Sequence, residues 1–243
     1  MKIRAENFLA EQPGYPTQDL HFCLQGPVVA ELQRTFAEDW IFTTGEKLPE
    51  DTWFPRLEPV ATGVARGISD GPDEDFDKLR TVILGALSAA RSSVRVLTPY
   101  FLPDSEIMTG LLIASLRGVK VQIILPGFSN LHMVKWASDA GLKEIVTAGC
   151  KIFLTPPPFD HSKVMLVDNG WVLLGSANWD PRSMALNFEF NVECYDVHLA
   201  GTMGEILDAK AAKARELSLA DLKSTNALLH LRNRFFRLFS PHL

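Results

Sequence analysis

Apolar and polar residues alternate along this chain at two different periods, and each change of period marks an element. From Pro59 onward, short β-rich apolar runs alternate with stretches of helical spacing, which reads as βαβ units and an α/β fold with a mostly parallel sheet. Strands are predicted over Pro59–Arg66 and Val94–Thr98, around a helix from about Asp75 to Arg91 in which Leu79, Val82, Ile83, Leu87 and Ala90 repeat on one face. Helices follow over about Ser105–Arg117 and Asn130–Ala148, alternating with strands Val119–Leu125 and Lys151–Leu154, with Gly118 and Gly149 as C-caps. Three prolines at 156–158 stop the chain before His161. The runs Lys163–Val167 and Trp171–Leu174 then flank the turn signal Asp168-Asn169-Gly170 and predict a β-hairpin. Phe188–Tyr195 alternates as a half-buried strand does, and a final helical region begins near Leu199.

Both ends of the chain break this rhythm. Asp19–Gln25 reads as a strand and Pro27–Trp40 as a helix, but Thr43–Pro59 is a polar, proline-containing connector. One βα unit cannot bury its own apolar face, so residues 1–55 are expected to be a remnant of a first domain plus linker, and residues 56–215 the main domain. Residues 216–243 gather Lys223, Arg232, Arg234 and Arg237 beside Leu228, Leu231, Phe235, Leu238 and Phe239, with no acidic residue after Asp221. Such a basic amphipathic segment suits a membrane interface, or equally a terminal helix packed on the sheet. The acidic run Asp70, Asp73, Glu74, Asp75, Asp77 stands where a helix begins, and capping is its simpler role.

Composition narrows the function classes. With 29 acidic against 24 basic residues, the net charge of -5 supplies no global field for a polyanion, so no nucleic-acid partner is expected. Cys23, Cys150 and Cys194 are spaced neither as a disulfide framework nor as a zinc site and are expected to be buried thiols. Neither a metal nor a cofactor is implied. No apolar run approaches the roughly 18 residues of a membrane-spanning helix, so membrane contact is expected to be peripheral.

The chemistry lies in His161-Ser-Lys163-Val-Met-Leu-Val-Asp168, followed by Gly175-Ser176-Ala-Asn178. Side chains two apart on a strand share a face, so His161 and Lys163 are expected to meet in one pocket, and Ser176 and Asn178 to offer hydrogen bonds to the same group. A fixed ammonium beside an imidazole suits a phosphodiester: the one binds a non-bridging oxygen, and the other serves as nucleophile or as proton donor to the leaving oxygen.

This window resembles the HKD motif of the phospholipase D superfamily. The longer run from Phe159 through Gly-Ser-Ala-Asn-Trp-Asp-Pro-Arg-Ser183 resembles the second such motif of bacterial cardiolipin synthases. Thr98-Pro-Tyr-Phe-Leu-Pro-Asp104, Asp39-Trp-Ile-Phe-Thr-Thr-Gly-Glu46, Gln25-Gly-Pro-Val-Val29 and Arg237-Leu-Phe-Ser-Pro241 extend the similarity over nearly the whole chain. The resemblance implies a mixed, mostly parallel sheet flanked by helices in an α-β-α sandwich. It also implies a metal-free, two-step phosphatidyl transfer between phosphatidylglycerol molecules, at the cytoplasmic side of the bacterial inner membrane. One motif's histidine attacks phosphorus, and the other protonates the leaving alcohol. His161 is then the general acid, Lys163, Ser176 and Asn178 the phosphate ligands, and Asp168 a structural partner. Glu189 becomes the carboxylate behind the imidazole, with Glu193 as substitute, and Tyr100 and Phe101 become candidates for the mouth of the site.

The family pattern calls for two motifs, and no second His-x-Lys occurs here. Met1-Lys-Ile-Arg-Ala-Glu-Asn7 resembles the segment just after the first motif's histidine and lysine, so the nucleophile is expected to come from a missing N-terminal half or from a second copy of the chain. A homodimeric phosphodiesterase and an inactive lipid-binding fragment are the alternative readings.

Overall fold

A computed structural model describes residues 17–72, 75–128, 132–223, 232, 233, 235 and 236. Among the described residues the first elements are β1 (Thr17–Gln18), α1 (Val28–Thr44) and the single turn α2 (Glu50–Trp53). Next come β2 (Val64–Asp70), α3 (Lys78–Ala89), β3 (Ser93–Leu97), α4 (Ser105–Leu116), β4 (Lys120–Pro126), α5 (His132–Thr147) and β5 (Lys151–Thr155). The short β6 (Phe159–Asp160) leads into β7 (Val164–Val167), β8 (Trp171–Gly175), α6 (Pro181–Ala185) and β9 (Glu189–Tyr195). They are followed by α7 (Val197–Lys213), β10 (Arg215–Glu216) and α8 (Leu219–Lys223).

Eight strands form one sheet in the order β10-β5-β4-β3-β7-β8-β9-β2, and β1 pairs with β6 beside it. The sheet is mixed, as the resemblance implies, but parallel pairing is confined to β3–β4–β5. The other five pairs are antiparallel, which corrects the expectation of a mostly parallel sheet. Parallel neighbours need a crossover helix, and α4 and α5 supply two. The tight β7–β8 turn and the returning β9 instead reverse direction at each step.

The helices cover both faces of the sheet. Under α3, α4 and α5 lies a core built on Leu79, Ile83, Leu87, Ile107, Leu111, Ile145 and alternate strand residues such as Val94, Val96, Val121 and Ile123. On the opposite face α7 and α1 bring Ala200, Met203, Leu207 and Val28 against Leu97, Ile124, Leu166, Val172 and Val192. Successive residues of β7, namely Val164, Met165, Leu166 and Val167, are all buried because each lies under one layer or the other. The described part of the first 55 residues thus docks on the sheet through Val28, Leu20, Phe22 and Leu24.

Several predicted elements shift. Residues 19–25 alternate in exposure as a strand would but form none beyond Gln18, because the β1–β6 ladder ends there. The strand predicted over Pro59–Arg66 runs instead over Val64–Asp70, where β9 supplies partners from Tyr195 opposite Val64 to Glu189 opposite Asp70. Of the acidic run, Asp70 caps α3 by accepting from Leu79 N–H at 3.1 Å; Asp77, at the N-cap position, makes no side-chain cap bond and pairs instead with Arg80 at 2.7 Å, and Asp73 and Glu74 lie outside the described residues. Cys150 and Cys194 are buried, but Cys23 is exposed, since it falls on the outward side of the 19–25 segment. The expectations for residues 1–7, and most of the basic C-terminal segment, lie outside the described residues. Of that segment, Arg232 stacks over the Trp136 ring of α5 at 4.1 Å, and Phe236 packs on the same ring.

Candidate active site

The C-terminal ends of β3, β4, β5 and β8 and the N-terminal ends of β7 and β9 meet at one edge of the sheet. There β6 brings His161 and Lys163 together. The Lys163 ammonium lies 3.1 Å from His161 Nδ1 and 3.2 Å from Nε2, and donates to the His161 carbonyl at 2.5 Å. Both residues are half-buried. Burial depresses the Lys163 pKa to about 8, against the opposing pull of Asp19, Glu189, Asp180 and Asp160. The lysine therefore keeps its charge at neutral pH because carboxylates surround it.

The carboxylate that meets the imidazole is Asp19, whose Oδ2 stands 3.4 Å from His161 Nδ1. Burial opposes its charge, but the hydrogen bond from His161 and the charge of Lys163 prevail and hold the Asp19 pKa below the usual range. Glu189, expected in that place, is engaged elsewhere: its Oε1 accepts from Asn187 Nδ2 at 3.0 Å, and its Oε2 accepts the Ser176 hydroxyl. Glu193 is no substitute, being buried between Arg66 at 2.7 Å and Trp171 Nε1 at 3.1 Å. Asp19 carried no signal in the sequence, because its approach depends on a two-residue parallel pairing, Thr17 with Phe159 and Gln18 with Asp160.

Ser176 and Asn178 follow β8 on the site side. Gly175 permits this: a Cβ there would come within 2.2 Å of Asn191 Oδ1 and 2.6 Å of its Cα. Asn178 is half-buried, its side chain hydrogen-bonds Asp180, and its Oδ1 is buried without a partner. Asp180, also unforeseen as a site residue, caps α6 by accepting from Ser183 N–H at 2.8 Å. Burial raises its pKa, with Glu189 adding to the effect. The Asp-Pro start of α6 was a readable helix signal; its nearness to Lys163 was not.

Asp168 is not brought to the site. It stands at the far end of β7, roughly 16 Å from Lys163 at a strand's rise per residue. It accepts from the N–H groups of Arg91, Ser92 and Ser93 at 2.7–2.8 Å and from the Ser92 hydroxyl at 2.8 Å. Burial works against its charge, yet those donors prevail and set its pKa at about 2. Phe101 is a core residue at 2% exposure, packed on Trp179, so it does not line the mouth. Tyr100 does approach: its ring lies 6.0 Å from that of Phe159, which in turn lies 6.3 Å from His161.

The arrangement brings one imidazole, one ammonium, a hydroxyl and an amide to this end of the sheet. No group of metal-ligating residues occurs among the described residues. That set suits anionic phosphorus chemistry, and His161 is the histidine the described side chains bring to it.

Known proteins give this geometry a context. Residues 83–210 match the family described as cardiolipin synthase, PLD-like domain. The chain is 36% identical to cardiolipin synthase A of Pseudomonas fluorescens over 239 residues, 98% of this chain and 50% of that protein. The corresponding enzyme of Pseudomonas putida is 35% identical over 98% of the chain. The chain spans about half the length of the curated relatives it matches. Among solved structures, Nuc of Salmonella typhimurium, a phospholipase D family member, aligns with TM-score 0.57 and 25% identity over 64% of this chain and 99% of its own. Phosphatidylserine synthase of Haemophilus influenzae aligns with TM-score 0.62 and 16% identity over 86% of this chain and 53% of its own, a likeness of fold.

Proposed function

Because the chain belongs to the cardiolipin synthase, PLD-like domain family, we propose that it supplies the acid half of a phosphatidyltransferase that makes cardiolipin and glycerol from two phosphatidylglycerol molecules. The observation that carries this reading is the convergence of His161, Lys163 and Asp19 in one site. In this reading the nucleophile comes from an N-terminal half outside this chain, which spans 50% of the Pseudomonas fluorescens relative.

In the first step that half's imidazole nitrogen attacks the phosphorus of a phosphatidylglycerol. The bond from phosphorus to the glycerol headgroup oxygen breaks, and His161 gives that oxygen its proton. In the second step a headgroup hydroxyl of another phosphatidylglycerol passes its proton back to His161 and attacks the phosphatidyl-histidine, breaking the P–N bond and releasing cardiolipin. Asp19 holds the Nδ1 side of the ring, leaving Nε2 for proton transfer. Lys163 neutralises the non-bridging oxygens as charge develops, Asn178 donates to them, and Ser176 donates to them when its hydroxyl proton turns from Glu189. Glu189 positions the Ser176 hydroxyl.

In this reading the enzyme works peripherally on the cytoplasmic face of the bacterial inner membrane, with anionic phospholipid as its surface. No helix of the described residues is long and apolar enough to cross a bilayer. The test is cardiolipin formation on phosphatidylglycerol vesicles by this chain alone, by the chain with a cardiolipin synthase N-terminal half, and by the same pair carrying His161→Ala. Activity only in the intact pair supports the proposal. Equal activity from the chain alone, as a dimer, would instead support two copies of His161 sharing one site.

A further inference from the structure

The Asp19 contact hangs on little backbone. The β1–β6 ladder is two residues long, and so short a pairing is not stable by itself. The side chain beneath it is unusual. Asp160, the residue before His161, is buried at 3% exposure and paired with Lys210 of α7, itself 11% exposed. Its Oδ2 takes both the Lys210 ammonium and Gln18 Nε2, the latter at 3.2 Å, while its Oδ1 takes Ser162 N–H at 3.1 Å. His161 N–H donates to the Gln18 carbonyl at 2.8 Å, and Leu20 N–H donates to the Ser162 hydroxyl at 3.0 Å. One buried carboxylate thus ties together the helix behind the sheet, the strand that carries His161, and the segment that carries Asp19.

We propose that Lys210, acting through Asp160, is a positioning residue that holds Asp19 against Nδ1 of His161 and so fixes the tautomer of the acid. A buried charge pair is a costly way to add stability but a directional way to fix a register, because neither partner can move without leaving the other unpaired in a dry site. Lys210 lies outside the reacting space and touches no group there except through Asp160. Its loss frees the two-residue ladder to slip and leaves Asp19 no fixed distance from the ring.

The role of His161 as acid belongs to the reading above, but the test needs no turnover, so failure of the clamp and failure of the transfer reading are told apart. The measurement is the 15N spectrum of the His161 imidazole in the folded chain, recorded with thermal melting for wild type, Asp19→Asn, Lys210→Met, Lys210→Arg and Asp160→Asn. Wild type is expected to hold the Nδ1–H tautomer facing Asp19. Lys210→Met and Asp160→Asn are expected to move the ring signals to those of Asp19→Asn, while Lys210→Arg keeps the wild-type spectrum. If Lys210→Met leaves too much buried charge to fold, the double variant Asp160→Asn/Lys210→Met, which leaves none, carries the same measurement. Wild-type imidazole signals in every folded variant lacking Lys210 or Asp160 would overturn the proposal. In the reconstituted transferase a misplaced acid is expected to lower kcat by roughly 10- to 100-fold with KM little changed.

Discussion

The two ends of strand β7 are built on opposite principles. At the turn end every need of Asp168 is met: three backbone N–H groups and a hydroxyl converge on one carboxylate, and its negative charge is welcome. At the other end Lys163 is pressed against an imidazole, its charge opposed by burial and sustained by carboxylates at a distance, and Asn178 keeps a buried acceptor unsatisfied. Residues of one eight-residue motif therefore do different work. The satisfied end holds the hairpin to the start of β3, and the unsatisfied end is the one to which the proposed reaction assigns the phosphate.

Substitutions sharpen the contrast in order of effect. His161→Ala should lower transfer in the reconstituted enzyme by on the order of 10²–10⁴, with the melting curve unchanged. Lys163→Met should lower kcat/KM by about 10²-fold and, because it removes a depressed buried charge, leave stability equal or higher. Wild-type kcat/KM should fall as pH rises through about 8, where the free site's Lys163 loses its proton, and Lys163→Arg should abolish that limb. The melting temperature has the opposite dependence. Since the folded pKa lies below 10.5, the penalty of burying the charged lysine is full below about 8 and disappears as pH rises toward 10.5.

Asp168→Ala should behave in reverse, costing on the order of 2–3 kcal/mol of stability in urea while the residual folded enzyme keeps its kcat. The sign of its pH dependence follows from a depressed folded pKa. The Asp168 contribution is complete above 3.8 and is lost as pH falls toward about 2, which a denaturation series across that range would register. Gly175→Ala falls at the site end, just past the Leu174–Val164 pair, and should touch both stability and turnover, costing about 1–3 kcal/mol as Asn191 is forced aside and displacing Ser176. Glu189→Gln should have the smallest effect, a few-fold loss of kcat, because the amide oxygen still accepts from Ser176 or Asn187. A loss equal to that of His161→Ala would place Glu189 in proton transfer after all.

What could be read from the sequence followed what is local. The helices Ser105–Leu116 and His132–Thr147, the strands between them and the hairpin turn were legible, because periodicity and glycine or Asp-Asn-Gly punctuation act within a few residues. Asp168 and Asn169 take the positive φ values of 50° and 53° that this turn chemistry foretells. The meeting of His161 with Lys163 was equally local, two residues apart on one extended segment. The sense of the sheet was not legible, because β9 reaches both β8 and β2 by long-range pairing that leaves no periodic trace. Asp19 and Asp180 were missed for the same reason. Each is an ordinary capping or loop residue by pattern, and only the docking of residues 17–20 on β6 and of α6 beside β8 turns them toward Lys163.

The central claim, that His161 is an acid and not the nucleophile, is most directly tested by locating the covalent lipid. Reconstituted enzyme quenched during turnover on phosphatidylglycerol, without acid, and read by mass spectrometry should carry a phosphatidyl group on a histidine of the complementing N-terminal half, with His161 unmodified. A phosphatidyl adduct on His161 would contradict the account and assign this chain the nucleophile.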